Sequence, residues 1–158
     1  MEDVLEVYAL PDDPTQPVVC FDECSKQLVS ETRIPIPAEP GQPLRYDYEY
    51  QRQGVANMFM CFAPLLNWRH VDVTERRTKA DFAYCMRDLV DVHFPDATRI
   101  RVVLDNLNTH TPASLYTVFP PEEARRIVAK LAFHYTPKHG SWLNMAEVEL
   151  SVLAGQCL

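Results

Sequence analysis

The sequence predicts an α/β protein whose later strands run parallel and are joined by helices. Two observations carry this. Short apolar, β-branched runs such as residues 18–23 and Ile100–Leu104 are too short for helices and read as buried strands. In the second half such runs alternate with segments of helical spacing, an order that implies right-handed crossovers between parallel strands. Period-two alternation in the first half adds hairpin strands to the same sheet.

Residues 1–17 are acidic, carry Pro11, Pro14 and Pro17, and read as a lead-in segment. Residues 18–23 form the first strand. A tight turn then leads to a second strand over Lys26 to Arg33. The stretch Ile34 to Pro43 holds four of the 13 prolines, which remove ladder donors, so it is an extended loop. Tyr46, Tyr48 and Tyr50 alternate with Asp47, Glu49 and Gln51 as a strand would, which places the tyrosines on a packed or edge face rather than as base-stacking platforms. Gln53-Gly54 breaks the run, and Val55 to Phe62 folds back as a hairpin partner. Val71 to Val73 is a further short strand. Phe82, Cys85, Met86, Leu89, Val90 and His93 recur at helical spacing, predicting a helix from Thr78 to Phe94 that Pro95 ends. Ile100 to Leu104 is the next buried strand, and Pro112 to Phe119 a short helix. Pro120-Pro121-Glu122-Glu123 opens another helix with acids in its first turn, running to Leu131. Phe133 to Thr136 is the last strand. Asn144 to Leu158 is the final helix, with an apolar stripe at Leu143, Ala146, Leu150, Leu153 and Cys157. It reaches the chain end with neither glycine cap nor proline stop, which reads as a shortened C-terminus.

A chain of 158 residues is long enough for one domain with a real core. No stretch approaches the roughly 18 apolar residues of a membrane span, and the acidic N-terminus has no secretory or transit pattern, so a cytoplasmic location is expected. The five cysteines lack a Cys-x-x-Cys pair and read as reduced thiols; Cys20 and Cys24 have no second Cys/His pair at zinc-ligand spacing. The net charge is −7, and it is unevenly spread: residues 1–50 hold 11 Asp/Glu against three Lys/Arg, the remainder 11 against 12. With no strong basic footprint, the chain alone should bind DNA weakly.

Three acidic positions stand out. Asp22 closes the run Val-Val-Cys-Phe-Asp-Glu, and Asp105 closes Arg-Val-Val-Leu-Asp-Asn. A carboxylate ending a buried strand is costly unless something pairs with it. Glu147 opens the final helix. Two strand-end acids and a helix-borne glutamate suit a divalent-metal site for phosphodiester chemistry. Each residue also has a plainer explanation. Asp22-Glu23 can start a solvated turn, Asp105 can form an Asx turn, and Asn144-x-x-Glu147 can be a capping box. Glu149 flanks the apolar stripe on the other side from Glu147, and periodicity does not choose between them.

The segments Val19-Cys-Phe-Asp-Glu23, Val103-Leu-Asp-Asn-Leu-Asn-Thr-His110 and His134-Tyr-Thr-Pro-Lys-His-Gly-Ser-Trp-Leu-Asn-Met-Ala-Glu147 resemble the three catalytic blocks of mariner-like bacterial insertion-sequence transposases of the DDE superfamily. The resemblance spans nearly the whole chain and implies a ribonuclease-H-like fold, a five-stranded mixed sheet flanked by helices. It implies that residues 18–158 are a catalytic domain, truncated at both ends relative to the family, with no N-terminal helix-turn-helix reader. Glu147 follows Asp105 by 42 positions, longer than the shortest spacings of the family, which implies an insertion around Pro120–Leu131. Carried over, Asp22, Asp105 and Glu147 are the catalytic and metal-binding triad for two Mg²⁺ or Mn²⁺ ions. Asn106, His110, Lys138, His139, Trp142 and Asn144 fall inside the same blocks as supporting or DNA-contact residues. The implied function is DNA cleavage and strand transfer at transposon ends, by a homodimer in the active complex. The alternatives are another nuclease of this fold, or a catalytically silent remnant that acts as a binding domain.

Overall fold

The computed structural model describes residues 1–157. Its strands are β1 (Val18–Glu31), β2 (Tyr50–Ala63), β3 (Trp68–Thr74), β4 (Ile100–Leu104) and β5 (Leu131–Tyr135). Its helices are α1 (Glu2–Ala9), α2 (Lys79–Asp88), α3 (Pro112–Val118), α4 (Pro121–Lys130) and α5 (Met145–Gln156). The strands form one five-stranded sheet in the order β3-β2-β1-β4-β5. Pairing is antiparallel across β3, β2 and β1 and parallel across β1, β4 and β5. This is the mixed sheet expected from the sequence.

Each face of the sheet carries its own apolar layer. Val19 and Phe21 of β1, with Phe59 and Val102, meet Phe82 and Met86 of α2, Leu115 of α3 and Ile127 of α4. On the other face, Val18, Cys20, Met60 and Val103 meet Val4 and Val7 of α1 and Ala146 and Leu150 of α5. Strand parity does the sorting: alternate side chains of β1 enter opposite layers, and both are filled, so Val18 to Phe21 are all buried. The cysteines are free thiols.

Four local expectations differ from the structure. The lead-in segment contains α1, whose Val4 and Val7 sit one helical turn apart and cover the sheet. The tight turn before Lys26 does not form; β1 continues, because Ser25 and Lys26 find ladder partners in Asn57 and Ala56 and the Ser25 hydroxyl lies 2.6 Å from Asn57 Oδ1. Gln53-Gly54 does not end a strand either. Gly54 takes φ +101° inside β2, and the pairing register slips by one residue opposite Gln27 and Val29. This is a bulge placed where only glycine is unstrained. Tyr46 and Tyr48 lie outside β2 and are exposed, so the strand face expected for them does not exist. The hairpin instead joins β1 to β2 through residues 32–49, which fold over bridges between Ile36 and Arg45 and between Glu39 and Gln42.

Among the five α-helices, side-chain caps open α2 and α5, while α3 and α4 begin at prolines. Thr78 and Asp81 form a reciprocal capping box at the head of α2. A π turn over Leu89–His93 extends α2 before Pro95. No helix among the described residues is long and apolar enough to cross a membrane.

Candidate active site

The parallel pairing of β1 with β4 brings the first two acids to the same place. Cys20 is in register with Val103. Asp22 and Asp105 each lie two residues further on and on the same face, just past the stretch where the two strands pair in parallel. In α/β sheets this is where sites form. β4 ends at Leu104, but β1 runs on to Glu31 against β2, so Asp22 lies inside its strand and not at the strand end expected from the sequence. Asp22 Oδ1 accepts a hydrogen bond from Glu23 N at 2.8 Å. Burial, above all, and then the charges of Asp105, Glu147 and Glu23 push its carboxyl up to about 6. The repulsion it feels from Asp105 and Glu147 is the electrostatic signature of three carboxylates sharing one neighbourhood.

The third acid is placed by Asn144. Its side-chain amide donates to the carbonyl of Phe21 at 2.8 Å, and its Oδ1 accepts from Ala146 N at 3.2 Å. One buried side chain therefore caps α5 and ties it to β1 beside Asp22. The reciprocal half of a capping box is not made, so the Glu147 carboxylate is not used in capping. Glu149 is occupied elsewhere, since Arg69 of β3 donates to its Oε2 at 2.8 Å. Of the two helix acids, it is Glu147 whose charge acts on Asp22.

Asp105 is held differently. Its Oδ1 accepts from His110 Nδ1 at 2.5 Å and from Leu107 N at 3.3 Å. The bond from His110 is the main reason its carboxyl lies below the usual range. His110 is buried, and its Nε2 donates to Glu23 Oε2 at 2.8 Å. Burial is the largest influence on His110 and opposes its charge, but the carboxylates of Asp105 and Glu23 together lift it to about 9. Glu23 and its partner Arg77 (Nε 3.3 Å from Oε1) were not among the residues singled out in the sequence. The signal for Glu23 was strand parity: it lies opposite Asp22, on the core side with Phe21.

The remaining candidates are scattered around this centre. Asp105, Asn106, Thr136, Lys138 and Ser141 line a cavity of about 380 Å³. Trp142 is exposed and borders a shallower groove with Glu147 and Val148. His139 is exposed on the loop after β5. His134 pairs with Asp3 of α1 at 2.9 Å and takes no part in the site. Among the described residues, no group of three His, Cys, Asp or Glu side chains is drawn close enough to hold a metal ion as it stands.

Residues 17–158 match the family model described as DDE superfamily endonuclease. Among solved structures, the chain is similar to that of the Mos1 mariner paired end complex with Mn, with a TM-score of 0.59 and 16% sequence identity. The match covers 98% of this chain and 46% of that one, so this chain spans about half the length of the structure it resembles. At that identity the likeness is one of fold, and it is the ribonuclease-H-like one. No curated protein sequence matches. Because the family model covers all but the first 16 residues, the chain belongs to the DDE superfamily endonucleases.

Proposed function

We propose that this chain is the catalytic domain of a DNA transposase, with Asp22, Asp105 and Glu147 as its acidic triad. The observation that carries this reading is the electrostatic coupling of Asp22 to Asp105 and Glu147, with the two aspartates brought side by side just beyond the parallel register of β1 and β4. The donor set fits a hard cation, since all three groups offer oxygen and nothing softer. Asp22 is also destabilised as an anion by burial and by its neighbours, which a nearby positive ion would relieve. Bound Mg²⁺ or Mn²⁺, two ions in the active complex, would supply Lewis-acid stabilisation of the phosphodiester oxygens.

The protein's own contribution is placement. Strand register sets the spacing of Asp22 and Asp105. Asn144 sets the approach of Glu147. His110 fixes one oxygen of Asp105. Lys138 lies on the wall of the cavity beside Asp105, where an ammonium would meet a DNA phosphate, and Asn106 faces the same space. Trp142 and His139 extend this surface along the loop before α5. DNA is the partner, held in the active complex by two copies of the chain in the cytoplasm. With a net charge of −7, the isolated chain binds through few phosphate contacts and loses affinity steeply with salt.

One observation favours the catalytically silent alternative: the triad is not gathered at metal-holding spacing. A nicking assay on transposon-end duplex, with Mn²⁺ or with chelator, decides between the two. Cleavage that needs the cation and disappears in Asp22→Asn, Asp105→Asn and Glu147→Gln supports the transposase reading. Cleavage that survives these changes, or none under any condition, refutes it. Preference for the RNA strand of a hybrid would point to a ribonuclease instead.

A further inference from the structure

Asp22 and Glu23 are consecutive on β1 and serve opposite faces of the sheet. Glu23 is an unusual residue to find where it is. Its side chain is only 4% exposed, His110 beside it is 1% exposed, and the surrounding layer is aromatic. The His110 ring packs edge-on against Phe21, with centroids 5.2 Å apart, and tilted against Phe82 at 5.0 Å. Its backbone carbonyl accepts from the Tyr135 hydroxyl at 2.8 Å. Ring and backbone are therefore both fixed.

The two ring nitrogens each face a carboxylate, Glu23 on one side and Asp105 on the other. Ionised carboxylates accept and do not donate, so both bonds exist only if both nitrogens donate. At the far end the Arg77 guanidinium forms an ion pair with Glu23 Oε1 at 3.3 Å but makes no hydrogen bond to it. A buried ionic chain of this kind is no better for stability than well-packed apolar side chains would be. Its cost is intelligible if its product is the orientation of the last member, Asp105. The chain engages Oδ1 of Asp105, which also accepts from Leu107 N. Among the described residues Oδ2 carries no hydrogen bond, and Asp105 borders the cavity that Lys138 also lines.

We propose that Glu23 and His110 are positioning residues for the triad: they clamp Oδ1 of Asp105 on the protein side and so present Oδ2 to the cation. This rests on Asp105 being a metal ligand. Outer partners of metal-ligating side chains typically affect metal affinity about 10-fold to 100-fold. The test is Mn²⁺ affinity of the folded, DNA-free chain, measured by titration calorimetry and by the loss of the free-Mn²⁺ resonance signal, with circular dichroism to establish folding. Glu23→Gln keeps the volume but removes the charge, and should weaken Mn²⁺ binding about 10-fold. Arg77→Gln, at the solvent end, should weaken it in the same direction and to a smaller extent. Combining Glu23→Gln with His110→Gln should cost no more than the larger single effect, because both act through one contact. Unchanged affinity in folded Glu23→Gln overturns the proposal; should that variant fail to fold, unchanged affinity in Arg77→Gln does so. Asp22→Asn is measured alongside. If it abolishes Mn²⁺ binding while Glu23→Gln does not alter it, the clamp is wrong and the triad stands. If Asp22→Asn also leaves binding unchanged, the triad itself is wrong and the clamp falls with it.

Discussion

Replacing Asp22 with asparagine should make the metal-free domain more stable. Asparagine keeps an oxygen to accept from Glu23 N, as Asp22 Oδ1 does now, and removes only the charge. In the fold, burial first and then the carboxylates of Asp105, Glu147 and Glu23 raise the Asp22 carboxyl from 3.8 to about 6. A carboxyl whose folded pKa is raised favours the fold when protonated. Its contribution is fully present below 3.8 and is lost as pH rises through about 6. A shift of this size corresponds to about 3 kcal/mol at neutral pH. Partial solvent access reduces the expected gain to about 1–2 kcal/mol. For a domain of this length that is a rise in Tm of about 3–6 °C. Melts of both proteins in chelator, at about pH 4 and about pH 7.5, measure it, and the same-pH comparison removes the other titrating groups. The gain should be large at the higher pH and small at the lower. A gain equal at both values, or a loss at the higher one, would show that Asp22 is not an ionised carboxylate held among like charges. Adding Mn²⁺ at ten times its Kd should largely close the gap, since a ligand of the folded state adds about 1.4 kcal/mol to the wild type and little to the variant.

Three other perturbations probe separate parts of the site. Asn144→Ala removes a helix cap, worth about 1 kcal/mol, and orphans the Phe21 carbonyl, worth about 1–3 kcal/mol; urea titration should show a loss of about 2–4 kcal/mol, and a loss under about 0.5 kcal/mol would mean that α5 is not tied to β1 in this way. Glu147→Gln should abolish Mn²⁺-dependent strand cleavage, whereas Glu149→Gln should cost less than about 1 kcal/mol of stability, the worth of its pair with Arg69, and leave cleavage intact; the opposite result would hand the third position to Glu149. The raised pKa of His110, about 9, contributes stability that is present below its ordinary value of 6.5 and lost as pH rises through about 9, so the urea midpoint should fall between about pH 7 and pH 10 and fall less in Glu23→Gln. A flat alkaline profile in the wild type would refute the Glu23–His110–Asp105 chain.

The second half of this protein was legible from local signals. Pro112 and Pro121 mark the heads of α3 and α4, Ile100–Leu104 is bounded as the sequence predicts, and Asn144 caps α5. Asp22 and Asp105 stood out as candidates, because a carboxylate at the end of an apolar run is a local anomaly. What the sequence left open was everything decided by a distant partner. Ser25 and Lys26 look like a turn until β2 supplies their ladder partners from 32 and 30 residues away. Glu2 and Asp3 make residues 1–17 look like a solvated lead-in, and only the sheet beneath α1 gives Val4 and Val7 something to cover. Glu147 and Glu149 are equivalent on a helical wheel; Arg69, on a strand paired two places away in the sheet, takes one of them. Glu23 is the clearest case. Its parity on β1 was readable, but whether a buried glutamate is tolerable depends on a histidine 87 residues later that folds over it from the loop after β4. Helix caps and proline stops are decided by neighbours in sequence. The partner of a charge, and with it the charge's cost and use, is decided by neighbours in space.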